Sequence, residues 1–161
     1  KRKKILKRGL TKYNLYVIIY IEKRKGQTKM TKAIYFDMDG TIANLYEVEN
    51  WLDKLRAADP SPYEQASVMC NMQVLARLLN KLQAQGYYIG IISWLSKAST
   101  KAYDEKVTQA KRKWLSIHLK SVHFDEIKIV EYGTPKEKVV TYPKGLLFDD
   151  ELNNRDRKSV V

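Results

Sequence analysis

Cysteine is almost absent from this chain. A single thiol in 161 residues, Cys70, excludes an internal disulfide framework and fits a reducing compartment. It falls in a stretch with helical periodicity, where a small buried hydrophobe is the expected role. Histidine is nearly as scarce. His118 and His123 are isolated, and neither has metal-ligand spacing to another His or Cys, so both are expected to be structural or superficial. Long apolar runs are missing too. The longest, residues 15–21, is far short of the roughly 20 residues a helix needs to cross a bilayer. Glu22-Lys23-Arg24-Lys25 follows it with no small-residue cleavage site, which argues against a signal peptide. No membrane association is expected, and the chain reads as cytoplasmic. There is no internal repeat, and no low-complexity segment beyond a basic stretch at the start.

Charge is plentiful but uneven. The formal net charge of +12 points at first to a nucleic-acid partner. Residues 1–29, however, hold 11 of the 30 Lys and Arg and one acid, Glu22. The remaining residues carry 19 bases against 17 acids and are close to neutral. Two domains are therefore expected: a basic extension over 1–29 and a globular body over 30–161. Met30-Thr31-Lys32 stands directly before an apolar strand. Met30 is thus expected to be the natural start, with 1–29 as upstream sequence translated in frame. The alternative is a basic arm that binds nucleic acid or an anionic surface.

Within the body, short apolar runs alternate with amphipathic stretches. Strands are expected at 33–36, 87–93, 127–130 and 145–148. Helices are expected at 47–58, 64–85 and 101–119. The second has a stripe of Val68, Met72, Leu75, Leu79 and Leu82 and ends at Gly86. The third has an inner face of Val107, Ala110, Trp114 and Ile117. Strands alternating with helices mean an α/β fold around a parallel sheet.

Chemistry gathers at the strand ends. Asp37 and Asp39, in Phe36-Asp37-Met38-Asp39-Gly40-Thr41, follow the first strand. Ser93 ends the second, and Asp149-Asp150 follows the fourth. Lys136 and Lys138 lie on the loop between. Carboxyl ends of parallel strands are where ligands bind in open α/β sheets. Carboxylates gathered at one place repel unless a cation sits among them, and a hard cation with oxygen ligands, magnesium first, suits them. Carboxylates, Mg2+, a hydroxyl and a lysine together can transfer a phosphoryl group.

This order of motifs resembles the haloacid dehalogenase (HAD) superfamily over residues 33 to about 155. Asp37 to Thr41 resemble its first motif, Ile91-Ile92-Ser93 its second, Lys136 or Lys138 its third and Leu147-Phe148-Asp149-Asp150 its fourth. The resemblance implies a three-layer Rossmann-like parallel sheet, with the third strand at one edge, then the second, first and fourth. The spacing of the first two motifs leaves room for a minimal helical cap, about 44–63. The sheet would be truncated after its fourth core strand, leaving that strand as an exposed edge.

The same resemblance implies a magnesium-dependent phosphomonoester hydrolase. Asp37 would be the nucleophile, Asp39 the acid and base, and Ser93 and Lys136 the phosphoryl ligands. Magnesium would be held by Asp37, the main-chain carbonyl of Asp39, and Asp149 or Asp150. Within the superfamily, the short cap, the Leu147-Phe148-Asp149-Asp150 ending and the start at residues 39–46 resemble small 5'-nucleotidases and their relatives in phages and bacteria, so the expected substrate is a small phosphorylated compound, a nucleoside monophosphate. Two rivals are a nucleic-acid 3'-end phosphatase and an inactive or nonenzymatic binding protein.

Other residues have two readings. Thr41, Trp94 and Lys97 are candidates for substrate binding. Trp94 either stacks on a base or packs against the cap. Tyr46 and Tyr63 are expected as solvated or half-buried loop tyrosines. Lys111-Arg112-Lys113 is expected on the solvated side of its helix.

Overall fold

Strand β1 (Ala33–Phe36) forms the centre of the sheet, and all four of its residues are buried. It pairs in parallel with β4 (Tyr88–Trp94) on one side and β6 (Leu146–Phe148) on the other. β5 (Glu126–Val130) completes the sheet beside β4, in the order β5-β4-β1-β6. The structure is a computed structural model that describes residues 32–97 and 99–150. Expectations placed on 1–29 and on the chain after β6, including the start at Met30 and the truncation, lie outside the described residues. Four parallel strands in the expected order establish the α/β class. Continuous apolar sequence in β4 fits a strand covered on both faces.

Two helices cover one face. α3 (Met72–Ala84) and α4 (Lys101–His118) place Leu75, Leu79, Leu82, Trp114 and Leu115 against Ile34, Phe36, Ile89 and Ile91. Both crossovers, β1 to β4 and β4 to β5, step in the same direction along the sheet. The right-handed rule therefore puts both helices on one side. The step from β5 back to β6 reverses direction, so its connection belongs to the other side. There the described cover is thin: α5 (Lys136–Val139), with Val139 and Val140 packed against Ala33, Tyr35 and Ile92. Tyr35 takes up much of this layer. Its hydroxyl donates to Glu126 at 3.0 Å and accepts from the Tyr142 N–H at 3.1 Å. Its partner across the ladder is Gly90, where a Cβ would stand 2.5 Å from the tyrosine ring. That glycine makes room for the aromatic.

An insertion rises from the sheet between β1 and α3. It is closed at its base by a two-residue antiparallel ribbon, β2 (Ala43–Asn44) with β3 (Ser67–Val68). Between them come a 3-10 turn (Leu45–Glu47), α1 (Trp51–Arg56) and α2 (Ser61–Gln65). The expected helix at 64–85 is thus two helices with a strand between. α2 starts at Ser61 because Asp59 accepts from both the N–H and the hydroxyl of Ser61, each at 2.8 Å. Pro62 is compatible with a first helical turn, so Pro60-Ser61-Pro62 opens a helix as well as ending one. α3 begins only at Met72, where the Asn71 side chain caps the Val74 N–H at 3.1 Å. Val68, read as part of the helical stripe, is a half-exposed strand residue instead. Cys70 is buried as expected, but in the bend before α3 and not on a helix.

α4 departs from expectation in a more consequential way. Its buried side chains are Tyr103, Val107, Ala110, Lys111, Trp114 and Leu115. Ile117, expected on the inner face, is 58 % exposed, and Lys111, expected in solvent, is 0 % exposed. The apolar stripe is therefore rotated by about one residue from the expected one. Positions 107, 111 and 114 follow the four-then-three spacing of a helical face, so a lysine occupies a core position. Among the described residues no helix is long and apolar enough to cross a membrane.

Candidate active site

The carboxyl end of β1 meets that of β6. The Asp37 N–H continues the ladder by donating to the Phe148 carbonyl at 2.8 Å, which brings Asp37 beside Asp149. Asp37 Oδ1 accepts from the Met38 N–H at 2.7 Å, fixing the carboxylate's rotation. One carboxylate oxygen from each of Asp37, Asp149 and Asp150 lies within 4.8 Å of the others. Gly40 turns the chain here with φ of 72°, in the left-handed region that favours glycine. A Cβ at Gly40 would collide with the Asp150 carboxylate and stand 2.8 Å from Tyr46. Glycine is needed there for both the turn and the close approach of Asp150.

Lys136 enters from α5. Its Nζ lies 3.0 Å from Asp37 Oδ2 and 2.7 Å from Asp149 Oδ2, and its side chain is 1 % exposed. Burial works against its charge, but the two carboxylates outweigh burial and hold the ammonium above its ordinary range. Lys138 is exposed, so of the two candidate lysines only Lys136 reaches the carboxylates. Trp94 forms a wall here. Its indole N–H donates to the Thr134 carbonyl at 2.8 Å, and Lys136 Nζ lies 4.7 Å from its ring centroid. Trp94 thus packs against the 131–135 loop, with Tyr132 tilted beside it at 5.1 Å.

Asp39, two residues after Asp37, has a different partner. Its side chain is outside the cluster formed by Asp37, Asp149 and Asp150. It meets Lys111 instead, with Nζ 2.6 Å from Asp39 Oδ2. Lys111 also donates to Ser93 Oγ at 2.9 Å and to the Trp94 carbonyl at 2.6 Å. Burial pushes the Asp39 carboxyl above its usual range, with the Asp37 charge adding to the rise and Lys111 opposing it. The expected solvated side of α4 thus reaches into the centre of the site. The signal was present in the spacing: Lys111 stands four residues after Val107 and three before Trp114, inside the apolar stripe.

Above the carboxylates opens a cleft of about 600 Å³. Asp37 and Asp39 lie at its floor, and Leu45, Tyr46, Trp51, Leu52, Leu55, Arg56 and Tyr63 from the insertion form one wall. Trp94, Leu95, Ser96, Lys97 and Tyr132 form the other. Tyr63, expected in a loop, is 4 % exposed, with Lys111 Nζ 4.8 Å from its ring centroid. Tyr46 is half exposed and edge-on to Trp51 at 5.1 Å. Lys97 reaches the mouth 5.8 Å from the Tyr132 ring. Thr41 is buried and lies outside the cleft lining, and its hydroxyl has no hydrogen-bond partner among the described residues.

The insertion is tied to α4. Trp114 Nε1 donates to the Ala66 carbonyl at 2.7 Å, Tyr103 Oη donates to the Asp59 carbonyl at 3.2 Å, and Lys113 pairs with Glu64 at 2.6 Å. Arg56 and Trp51, for which the sequence carries no motif, line the cleft from this insertion, with Arg56 paired to Asp53 at 3.3 Å. Comparison with protein-family models, with curated proteins and with solved structures found no match to this chain.

Proposed function

We propose that this chain is a magnesium-dependent phosphomonoester hydrolase of the HAD type, acting on nucleoside monophosphates. The observation that carries the proposal is one cluster. Three carboxylates from two adjacent strand ends gather with a buried lysine between two of them, and Asp37 of that cluster lines one cleft together with a separate acid, Asp39. The order of motifs along the chain supports it further.

The donor set fits the implied cation. It consists of oxygen atoms only, from Asp37, Asp149 and Asp150, gathered closely enough to share one ion. When bound, Mg2+ would polarise a phosphoryl oxygen and offset charge. The chain's own residues do the rest. Asp37 attacks phosphorus and forms an aspartyl phosphate as the bond to the leaving oxygen breaks. Asp39 gives that oxygen a proton, then accepts one from the water that attacks the acyl phosphate. Phosphate leaves and Asp37 regains its carboxylate. Lys136 has three N–H donors and two carboxylate acceptors, which leaves a donor for a phosphoryl oxygen. The leaving group would occupy the cleft, where Trp51, Tyr46 and Tyr132 offer faces to a planar base and Arg56 and Lys97 offer positive charge.

The test is phosphate release by the full chain, with and without magnesium. The substrates are nucleoside 5'- and 3'-monophosphates and a 3'-phosphorylated oligonucleotide. Magnesium-dependent release, greatest from a 5'-monophosphate, is expected. Preference for the oligonucleotide would move the assignment to nucleic-acid end processing. No release by folded protein would defeat the proposal.

A further inference from the structure

Lys111 is buried as completely as any side chain in the protein, and the phosphoryl-transfer steps above do not use it. A lysine in a core position needs a reason, since an ammonium without partners is costly to bury. Its partners identify that reason. An ammonium has three N–H donors and no acceptor. Lys111 has three acceptors, Asp39 Oδ2 at 2.6 Å, Ser93 Oγ at 2.9 Å and the Trp94 carbonyl at 2.6 Å. All three donors are spoken for, so none remains for a phosphoryl oxygen. Lys136, by contrast, keeps one to spare.

We infer that Lys111 is a positioning residue that sets the acid–base group and the hydroxyl of the site by saturating its ammonium on Asp39, Ser93 and the end of β4. The inference rests on the phosphohydrolase reading. Three bonds fix the ammonium, and each has a consequence. The Trp94 carbonyl belongs to the sheet, so it anchors Lys111 to the strand. With Oδ2 of Asp39 held, the carboxyl plane is set and Oδ1 is the oxygen left to exchange a proton with the leaving group or water. Because Ser93 Oγ accepts from Lys111, its own hydrogen must point elsewhere, which makes the hydroxyl a donor. Tyr63, its ring 4.8 Å from Nζ, closes the remaining side and ties the arrangement to the insertion.

A positioning role for the proton-transfer group has a signature that loss of packing lacks. When the leaving group is nitrophenolate, departure needs no proton. When it is a sugar hydroxyl, departure does. Hydrolysis of the aspartyl phosphate uses Asp39 with either substrate, so the comparison is made in kcat/KM, which reports only the steps through departure of the leaving group. Lys111→Met is expected to lower kcat/KM on a nucleoside 5'-monophosphate by about a hundredfold, within the range of acid–base assistance. On p-nitrophenyl phosphate the fall in kcat/KM should be under tenfold, with inhibition by inorganic phosphate within a few-fold of the unaltered chain. Lys111→Arg keeps the charge but not the three-point geometry, and should lower the same ratio of rates to a smaller extent.

The full chain is used throughout, with circular dichroism to check folding. Both variants folded, with the ratio unchanged, would overturn the assignment, as would an equal fall on both substrates with weakened inhibition by inorganic phosphate, which would make Lys111 a phosphate ligand. Failure of both variants to fold would make it a structural lysine and overturn it as well. An unaltered chain inactive on either substrate would sink the phosphohydrolase reading, and this inference with it. Activity in the unaltered chain with no change of ratio would sink only the role of Lys111.

Discussion

The carboxyl edge of the sheet and the helical cover above it follow different rules. At the sheet edge, function is written in consecutive residues. A strand ends, an acid follows, and register with the neighbouring strand decides what meets it. Asp37 reaches Asp149 because β1 pairs with β6, Phe36 opposite Phe148. In the cover, function is written at intervals. Lys111 reaches Asp39 across 72 residues of sequence, from the middle of an 18-residue helix. The first kind of site is read from a short motif. The second requires knowing which way a helix faces, and a rotation of one residue exchanges core for solvent.

The difference predicts how each region breaks. The largest effect belongs to the sheet edge. Asp37→Asn should abolish magnesium-dependent phosphate release by at least about a thousandfold, because the amide cannot serve as nucleophile. It should leave the fold intact by circular dichroism. Trp114→Ala tests the cover. Its indole is buried against the core and bonded to the Ala66 carbonyl, so truncation should cost about 3–5 kcal/mol in chemical denaturation. A cost near zero would show that α4 does not hold the insertion.

Gly40→Ala falls between the two regions, since an added Cβ would meet both the Asp150 carboxylate and Tyr46. A positive φ and two close approaches should make the loss exceed the roughly 1 kcal/mol typical of strain at such a position. Magnesium should raise its Tm less than that of the unaltered chain. Ile117→Ser sharpens the comparison from the other side. At 58 % exposure it should change stability by no more than about 0.5 kcal/mol. A larger loss would restore the inner face that the sequence periodicity suggested.

The smallest effect lies far from the cleft. Burial would raise the Glu126 carboxyl. However, the Lys128 ammonium, the Thr141 N–H and hydroxyl and the Tyr35 hydroxyl outweigh burial and depress it. A depressed carboxyl contributes stability above the ordinary carboxylate range and loses it as pH falls through its folded value. Acidification should therefore lower the Tm of the unaltered chain slightly more than that of Glu126→Gln. Equal slopes would show that these bonds make no net contribution.

Much of the sheet was legible in the sequence because parallel strands are nearly continuous apolar runs, and 33–36 was placed to the residue. Strand order followed from resemblance and not from periodicity. The insertion was legible only as a space between motifs. Its ribbon is two residues per strand, too short to leave a pattern, and Pro60-Ser61-Pro62 reads equally as an end and a beginning. In the site, the acids and Lys136 stood out because each follows a strand or lies on a loop between strands. Lys111 did not, because three consecutive basic residues, Lys111-Arg112-Lys113, resemble a solvated face unless the stripe is followed through them. Arg56 and Trp51 had no motif at all. Their place depends on the bonds from Trp114, Tyr103 and Lys113 that seat the insertion over the sheet.

In the proposed reaction Asp37 carries the phosphoryl group between substrate and water, and that step can be trapped. Full-length protein turning over a nucleoside 5'-monophosphate with magnesium would be quenched in acid, reduced with borohydride and mapped by peptide mass spectrometry. An aspartyl phosphate is reduced to homoserine under these conditions. Homoserine at position 37, absent when substrate is omitted, is the expected result. Turnover with homoserine at a different aspartate, or with none at any, would contradict the account.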